Sequence, residues 1–307
     1  MYDIIADIHG QAEELEALLQ KMGYKRTDGV FTHSERKAVF LGDFIDRGTQ
    51  EQRTIEICRS MVASGAALAV MGNHEFNAIC YATPDPSKEG EYLRSHAKPG
   101  NQKAHQAFLD EFPLGSPQHR EVIEWFKTLP VFLDLGDIRL VHACWHQESL
   151  ELAKPWLDDR NCLLPEAYAL ASNKTHSLYT AIEYLLKGVE IDLPDGTSFK
   201  DKDGKERIAT RIRWWDKKAK TLADVAIGPG LGSLPEVPVE TGRFHYHDSV
   251  PVFIGHYWLS GLPQKLTDYV ACVDYSVAKK GGRLAAYRWQ GETVLDNRHF
   301  VWVDRDQ

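Results

Sequence analysis

The sequence predicts an α/β fold, and two observations carry that expectation. Three short apolar runs, IIA (4–6), AVFLG (38–42) and ALAVMG (67–72), each stop at a polar residue: Asp7, Asp43 and Asn73. Each run is followed by a polar stretch with helical spacing, such as Leu15, Leu18, Leu19 and Met22 after the first. Strand–loop–helix repeats of this kind imply βαβ units. The loops at the carboxyl ends of such strands gather on one edge of a sheet. Residues far apart in the chain are therefore expected to converge.

The remaining elements follow in order. Residues 76–130 read as helical, with Ala104, Ala107 and Phe108, then Val122, Trp125, Phe126 and Leu129, at helical spacing. IRLVHA (138–143) and VPVFIGH (250–256) are apolar strands that end on His142 and His256. Residues 163–188 read as helical again. Residues 199–220 form a locally basic segment with nine Lys or Arg against four Asp or Glu. GPGLGSLPEVP (228–238) is a glycine- and proline-rich loop.

The polar strand ends make up the motifs DIHG (7–10), GDFIDRG (42–48) and GNHE (72–75). Asp7, His9, Asp43 and Asn73 offer carboxylate, imidazole and amide donors suited to a pair of divalent metals. That set suits manganese, iron or zinc better than calcium. No cysteine falls inside the motifs, which argues against a structural thiolate zinc site. Two ions about 4 Å apart would clamp the attacking and leaving oxygens and acidify a water into a nucleophile. Such a pair needs one shared carboxylate, and Asp43 is the natural bridge. Asp46, Arg47 and His74 are what the pair needs beside it to cut a phosphate ester.

These three motifs, in this order, resemble those of the calcineurin-like metallophosphoesterases, and specifically their phosphoprotein phosphatase branch. The resemblance implies a two-sheet α/β/β/α sandwich with helical cap insertions and a centre of two divalent ions. Manganese is the first choice, with iron or zinc as alternatives. It further implies that Asp7 and His9 bind the first metal, that Asp43 bridges, and that Asn73, His142 and His256 bind the second. His74 would protonate the leaving oxygen, oriented by Asp46, and Arg47 would hold the phosphate. Family members ending in GHxH place a further histidine two residues after the position of His256. Here that residue is Trp258, as in the phosphatase branch. There are two departures. Ala6 stands where Gly or Ser is usual, and His142-Ala143-Cys144 lacks the usual glycine, which places a thiol near the metals.

ATRIRWW (209–215) resembles the Thr-Arg-x-Arg stretch of bacterial diadenosine tetraphosphate hydrolases, which belong to the same branch. The tail VACVDYSVAKKGGRLAAYRW (270–289) resembles theirs too, and implies two paired strands. Arg47, Asn73, Arg211 and Arg213 are therefore the substrate-binding candidates. An arginine reaches a phosphate bidentately as no lysine does, and period-two spacing allows Arg211 and Arg213 to share one side of a strand. Trp214 and Trp215 are expected in the core rather than stacked on a base. His33, His146, His245 and His247 are not expected to be ligands, although His146 and Cys144 flank the site. Because His256 must meet Asp7, residues 1–307 are expected to form one domain. Its helical insertions near 76–130 and 145–250 would form a cap beside the site.

The 307 residues, 43% of them hydrophobic, are enough to bury a sizeable core. The net charge of −8 opposes long nucleic acids but not small phosphorylated substrates, since two metals dominate the local field. The five cysteines show no CxxC spacing, and free thiols in a reducing cytoplasm are expected. No signal peptide is expected, because the chain opens at once on its first strand, and no apolar run is long enough for a membrane span. The expected activity is hydrolysis of a phosphate ester or anhydride, on a nucleotide or dinucleoside polyphosphate. A protein serine/threonine phosphatase is the alternative. A non-catalytic scaffold of the same fold has no need for His74, Asp46 and Arg47 together, and a nuclease would prefer the missing GHxH ending.

Overall fold

The first strand, β1 (Tyr2–Ile5), lies between two neighbours. It runs parallel to β2 (Lys37–Phe40), which is parallel in turn to β3 (Ala67–Ala69). These features come from a computed structural model that describes residues 1–200, 204, 206–228, 231 and 234–305. Parts of the basic segment 199–220 and of the loop 228–238 therefore lie outside the described residues. The second sheet holds β4 (Phe132–Asp134), β5 (Arg139–Val141), β9 (Val252–Ile254) and β10 (Val270–Cys272), in the order β10-β9-β5-β4. The first sheet is completed by β11 (Asp274–Tyr275), β12 (Arg283–Trp289) and β13 (Phe300–Asp304). Its order is β11-β12-β1-β2-β3, with β13 paired to β12.

Strand periodicity explains why the two sheets meet. Alternate side chains point to opposite faces. Ile4, Ala6, Val39, Leu41 and Val70 of the first sheet share one buried cluster with Leu140, Phe253 and Ala271 of the second. Ile5, Ala38, Phe40 and Ala69 point the other way. They pack with Leu15, Leu18 and Leu19 of α1 (Ala12–Lys21) and with Ile55 and Cys58 of α2 (Glu51–Ala63). On the second sheet, Val141, Val252 and Ile254 pack with Leu178, Ile182 and Leu185 of α8 (Ser177–Lys187). The result is the expected α/β/β/α sandwich. Inside the first sheet, the buried carboxylate of Asp3 takes Arg36 at 2.8 Å and Arg288 at 3.0 Å, tying β1 to its neighbours.

The stretch 76–130 holds α3 (Asn73–Ala82), α4 (Pro99–Glu111) and α5 (Pro117–Lys127), with non-helical chain between Thr83 and Lys98. The stretch 145–250 departs from the helical expectation. It begins with α6 (Gln147–Ala153), α7 (Ala167–Ser172) and α8. It then makes a small antiparallel sheet of β6 (Glu190–Asp192), β7 (Ala209–Ile212) and β8 (Ala226–Ile227). Thr210 and Ile212 alternate with less buried neighbours, the period of a half-buried strand rather than a helix. In the tail, Asp274–Tyr275 and Arg283–Trp289 pair antiparallel in the first sheet, as the resemblance implies, while Val270–Cys272 joins the second. Among the described residues no helix is long and apolar enough to cross a membrane. All five cysteines are free and buried.

Candidate active site

Parallel strands place their carboxyl ends together, and the site forms there. The turns after β1, β2 and β3 carry Asp7, Asp43 and Asn73. The turns after β5 and β9 carry His142 and His256. The turns are pressed close. A Cβ on Gly42, which has φ +84°, would lie 2.2 Å from the Gly72 backbone nitrogen, and one on Gly255 would lie 2.1 Å from Asp7 Oδ1. Backbone bonds stitch the loops: His9 N donates to Asp43 O at 2.9 Å, and Gly255 N to His142 O at 2.8 Å. Glu75 is buried at the start of α3, and its carboxylate accepts from Gly72 N at 2.9 Å, Asp43 N at 2.8 Å and Phe44 N at 2.9 Å. Seven site residues sit in the left-handed region: Asp7 (φ 50°), His9 (50°), Asp43 (53°), Asp46 (70°), Arg47 (75°), His256 (74°) and Trp258 (53°). Backbone strain concentrated in this way is a mark of functional loops.

Two groups of buried donors share Asp43. His9, Asp43 and His74 form one, and Asp43, His142 and His256 the other, with the donor atoms of each within 4.8 Å of one another. Asp43 Oδ2 lies 3.4 Å from His142 Nε2, 3.7 Å from His9 Nε2 and 3.8 Å from His74 Nε2. His9 Nδ1 donates to Ile45 O at 2.8 Å and His142 Nδ1 to Leu41 O at 2.5 Å, so each ring presents its Nε2 lone pair to the centre. Asn73 Oδ1 stands 3.2 Å from His142 Nε2. The Nε2 of His9 and both ring nitrogens of His256 are buried without a hydrogen-bond partner. Orphaned imidazole nitrogens around a shared carboxylate fit divalent ions and are costly otherwise. Asp7 accepts from His256 N at 3.0 and 3.1 Å, and burial, then the charges of Asp274 and Asp43, push its carboxyl well above the usual range. Asp274 is a partner that the sequence reading missed. It is buried beside Asp7 and accepts from Trp258 N at 2.6 Å and Ser276 N at 2.9 Å.

Next to this centre, Asp46 is gripped from both sides. Its Oδ2 accepts from His74 Nδ1 at 2.5 Å and its Oδ1 from His105 Nδ1 at 2.9 Å. Burial alone would raise the Asp46 carboxyl, but the hydrogen bonds from His105 and His74 hold it well below the usual range. Burial likewise opposes a charge on His74, yet the Asp43 charge and the Asp46 bond raise its pKa above the ordinary histidine value. His9 is drawn the other way, to about 3, by burial and by the charge of His74. The sequence reading also missed His105. Only α4 brings it within reach, and nothing in its local sequence marks it.

Arg47 is exposed above the centre, with its Cζ 4.3 Å from the Trp258 ring centroid; the Nζ of Lys279 lies 4.4 Å from that centroid. The two further arginine candidates part company. The charge of Arg211 is felt by His256, whose pKa is lowered first by burial and then by that charge. Arg213 lines a separate cavity with Trp215, Asp216, Tyr246 and Leu259. Strand β7 ends at Ile212; the Arg213 nitrogen still follows the β8 register to Val225 O at 2.7 Å, and a turn begins there, with Asp216 N donating to Arg213 O at 2.9 Å. Trp214 and Trp215 are buried in the core, as expected. Cys144 is fully buried in apolar packing that pushes its thiol well up, and it belongs to neither donor group. His146 bonds Ser149 Oγ at 2.8 Å and packs against Tyr184 and Phe244, outside both groups.

The chain belongs to the calcineurin-like phosphoesterase family, which it matches over residues 2–193. It is 34% identical over 147 residues to a bis(5'-nucleosyl)-tetraphosphatase (asymmetrical) of Bacillus velezensis, covering 46% of this chain and 55% of that protein. With the protein of the same name from Oceanobacillus iheyensis it is 44% identical over 142 residues, covering 46% and 54%. The chain thus spans about half the length of the curated relatives it matches. Among solved structures, a cold-active protein tyrosine phosphatase superposes with a TM-score of 0.50 at 19% identity, over 93% of this chain and 73% of that one. That likeness concerns the fold alone.

Proposed function

We propose that this protein is a phosphoesterase that uses two divalent ions, manganese by preference, to hydrolyse phosphoanhydride bonds of a nucleotide or dinucleoside polyphosphate. One observation carries the reading: a single buried carboxylate, Asp43, faces three imidazoles within 3.8 Å, and one of them, His74, is backed by Asp46 at 2.5 Å. The ions would be held by Asp7, His9 and Asp43 on one side and by Asp43, Asn73, His142 and His256 on the other. Bound there, they supply Lewis acidity and an acidified water. The chain's own residues do the rest. Asp43 keeps the two groups in register. Arg47 neutralises and orients the phosphoryl group. His74 delivers the proton to the leaving oxygen from Nε2, while Asp46 receives its Nδ1–H and stabilises the charged ring. Arg211, beside His256, is the second arginine for the phosphate chain. The polyphosphate preference is supported by the named activity of the two bacterial relatives and by the stretch Thr210–Arg213.

The test is a panel assayed with added manganese: dinucleoside polyphosphates, nucleotides, phosphopeptides and p-nitrophenyl phosphate. Hydrolysis is expected to be fastest on the polyphosphates and to vanish with chelator. Asp43→Asn is expected to lose both bound metal and turnover, because both donor groups pass through that carboxylate. Full activity of Asp43→Asn, or of chelated protein, refutes the two-metal reading.

A further inference from the structure

A groove of about 1000 Å³ opens from Arg47 and Gly48 and runs along one face of α4. Its helical wall is built from positions 103, 104, 107, 110 and 111, spaced so that they share that face. Gly100, Ala104 and Ala107 are small, which is what leaves room beside the phosphate-facing loop. Three cations line the groove: Arg47, Arg94 and Lys103. Among the described residues no carboxylate lies within ion-pairing distance of any of the three. Arg207, which has partners of its own, is a fourth lining cation.

Arg94 is the most telling. It is half-buried, its guanidinium donates to the amide oxygen of Asn77 at 3.1 Å, and burial draws its pKa below the ordinary arginine value. A partly desolvated cation held by a neutral amide is a cost that an anionic ligand would offset. Two carboxylates, Glu111 and Asp110, also line the groove and keep their charge, because the donors they accept from are neutral. Glu111 accepts from Glu51 N at 2.9 Å and Gln52 N at 2.8 Å, and Asp110 accepts from Gln106 Nε2 at 2.6 Å. The groove is continuous with the phosphate arginine, and its four cations outnumber its two carboxylates. An extended chain with one negative charge per link matches it better than a lone phosphate.

We propose that this groove is a subsite for the second and third phosphates of a polyphosphate, with Arg94 and Lys103 as their ligands and Arg47 shared with the reacting phosphate. The proposal rests on the phosphoesterase reading for what happens at the centre. Binding in the groove, however, is measurable without turnover.

The experiment is calorimetry on manganese-loaded protein with three probes: orthophosphate, a non-hydrolysable methylene-bridged triphosphate and a phosphopeptide. The unaltered protein is expected to bind the triphosphate at least tenfold more tightly than orthophosphate. Lys103→Glu is expected to cut the ratio of triphosphate to orthophosphate affinity about tenfold. Its side chain is exposed, so the fold is not at stake. Arg94→Met is expected to cut the ratio as much, and Arg94→Lys less. Equal affinity for orthophosphate and the triphosphate in the unaltered protein overturns the proposal, as does a ratio that Lys103→Glu leaves unchanged. A phosphopeptide whose affinity falls in Lys103→Glu, while that of the triphosphate does not, overturns it in favour of a peptide groove. Failure of the hydrolysis panel would count against the phosphoesterase reading alone.

Discussion

His74 illustrates how neighbours set the chemistry of one residue. Burial opposes a charge on its ring, but two carboxylates raise its pKa, the direction that the proposed acid role requires. His74→Asn is expected to lower kcat by about 10²–10⁴-fold on esters with poor leaving groups. The loss should be much smaller on p-nitrophenyl phosphate, and manganese content should be retained. Equal losses on both esters would remove His74 from the acid role. His105 stands one step further out. It fixes the second oxygen of Asp46, and so the direction in which Asp46 holds the His74 ring. His105→Ala is expected to lower kcat roughly tenfold, the scale of one charge-assisted hydrogen bond, with KM little changed and the same dependence on leaving group. A uniform loss across esters would mark a merely structural role. The sequence displays His74 and Asp46 openly, because short turns at strand ends keep them within fixed motifs. His105 and Asp274 are different. Their importance lies in what they touch across 59 and 267 positions of chain (to Asp46 and Asp7), and no spacing rule reaches that far.

At the scale of elements, apolar runs revealed the strands well and their ends less well. ALAVMG reads as six residues of strand, yet β3 is Ala67–Ala69, because Met71 N turns aside to Pro130 O at 2.8 Å. The alternation in ATRIRWW correctly indicated a strand, but its early end decides which arginine matters. Arg211 lies on β7, its Nε 3.6 Å from Glu190 on β6 and its charge within reach of His256. Arg213 lies past the end of the strand. Arg211→Ala is therefore expected to reduce kcat/KM on polyphosphates by more than about 1.4 kcal/mol, tenfold in rate. Arg211→Lys should not restore it, because a forked donor is what a phosphate chain requires. Arg213→Ala is expected to change kcat/KM less than threefold. Assays of the three variants on one polyphosphate check all of this, and a larger loss at 213 than at 211 reverses the assignment.

For the whole molecule, the two-sheet sandwich was implied by the resemblance that the motifs carry, and strand alternation accounts for the two faces of each sheet once the strands are placed. The small sheet after α8 was not legible as a unit, because strands of two to four residues carry too little periodicity. The sandwich closes on a centre that crowds Asp7, Asp43 and Asp274 against four histidines, and this makes stability depend on metal and on pH. His74 and His142 have raised pKa values when folded, although burial opposes this, chiefly because of Asp43. A raised histidine contributes stability that is fully present below its unfolded value of about 6.5 and is lost as pH climbs through the folded value. Burial raises the carboxyls too, Asp7 well above its ordinary range and Glu75 to about 7. The unfolded chain gives up those protons first, so they also make stability fall with rising pH. His9 and His256 are lowered, chiefly by burial, so the unfolded chain holds more protons at them and they oppose this slope near their unfolded value of about 6.5. About one pH unit higher that opposition has faded. Above about pH 7.5, the Tm of chelator-treated protein is therefore expected to fall. Manganese needs its ligands deprotonated, so its stabilisation grows over the same range. At a thousandfold excess over its Kd it is worth about 4 kcal/mol. The Tm gap between manganese-loaded and metal-free protein should accordingly widen from about pH 7.5 upward. A gap that narrows, or a metal-free Tm that rises over that range, contradicts the assignment of these groups to one metal-dependent centre.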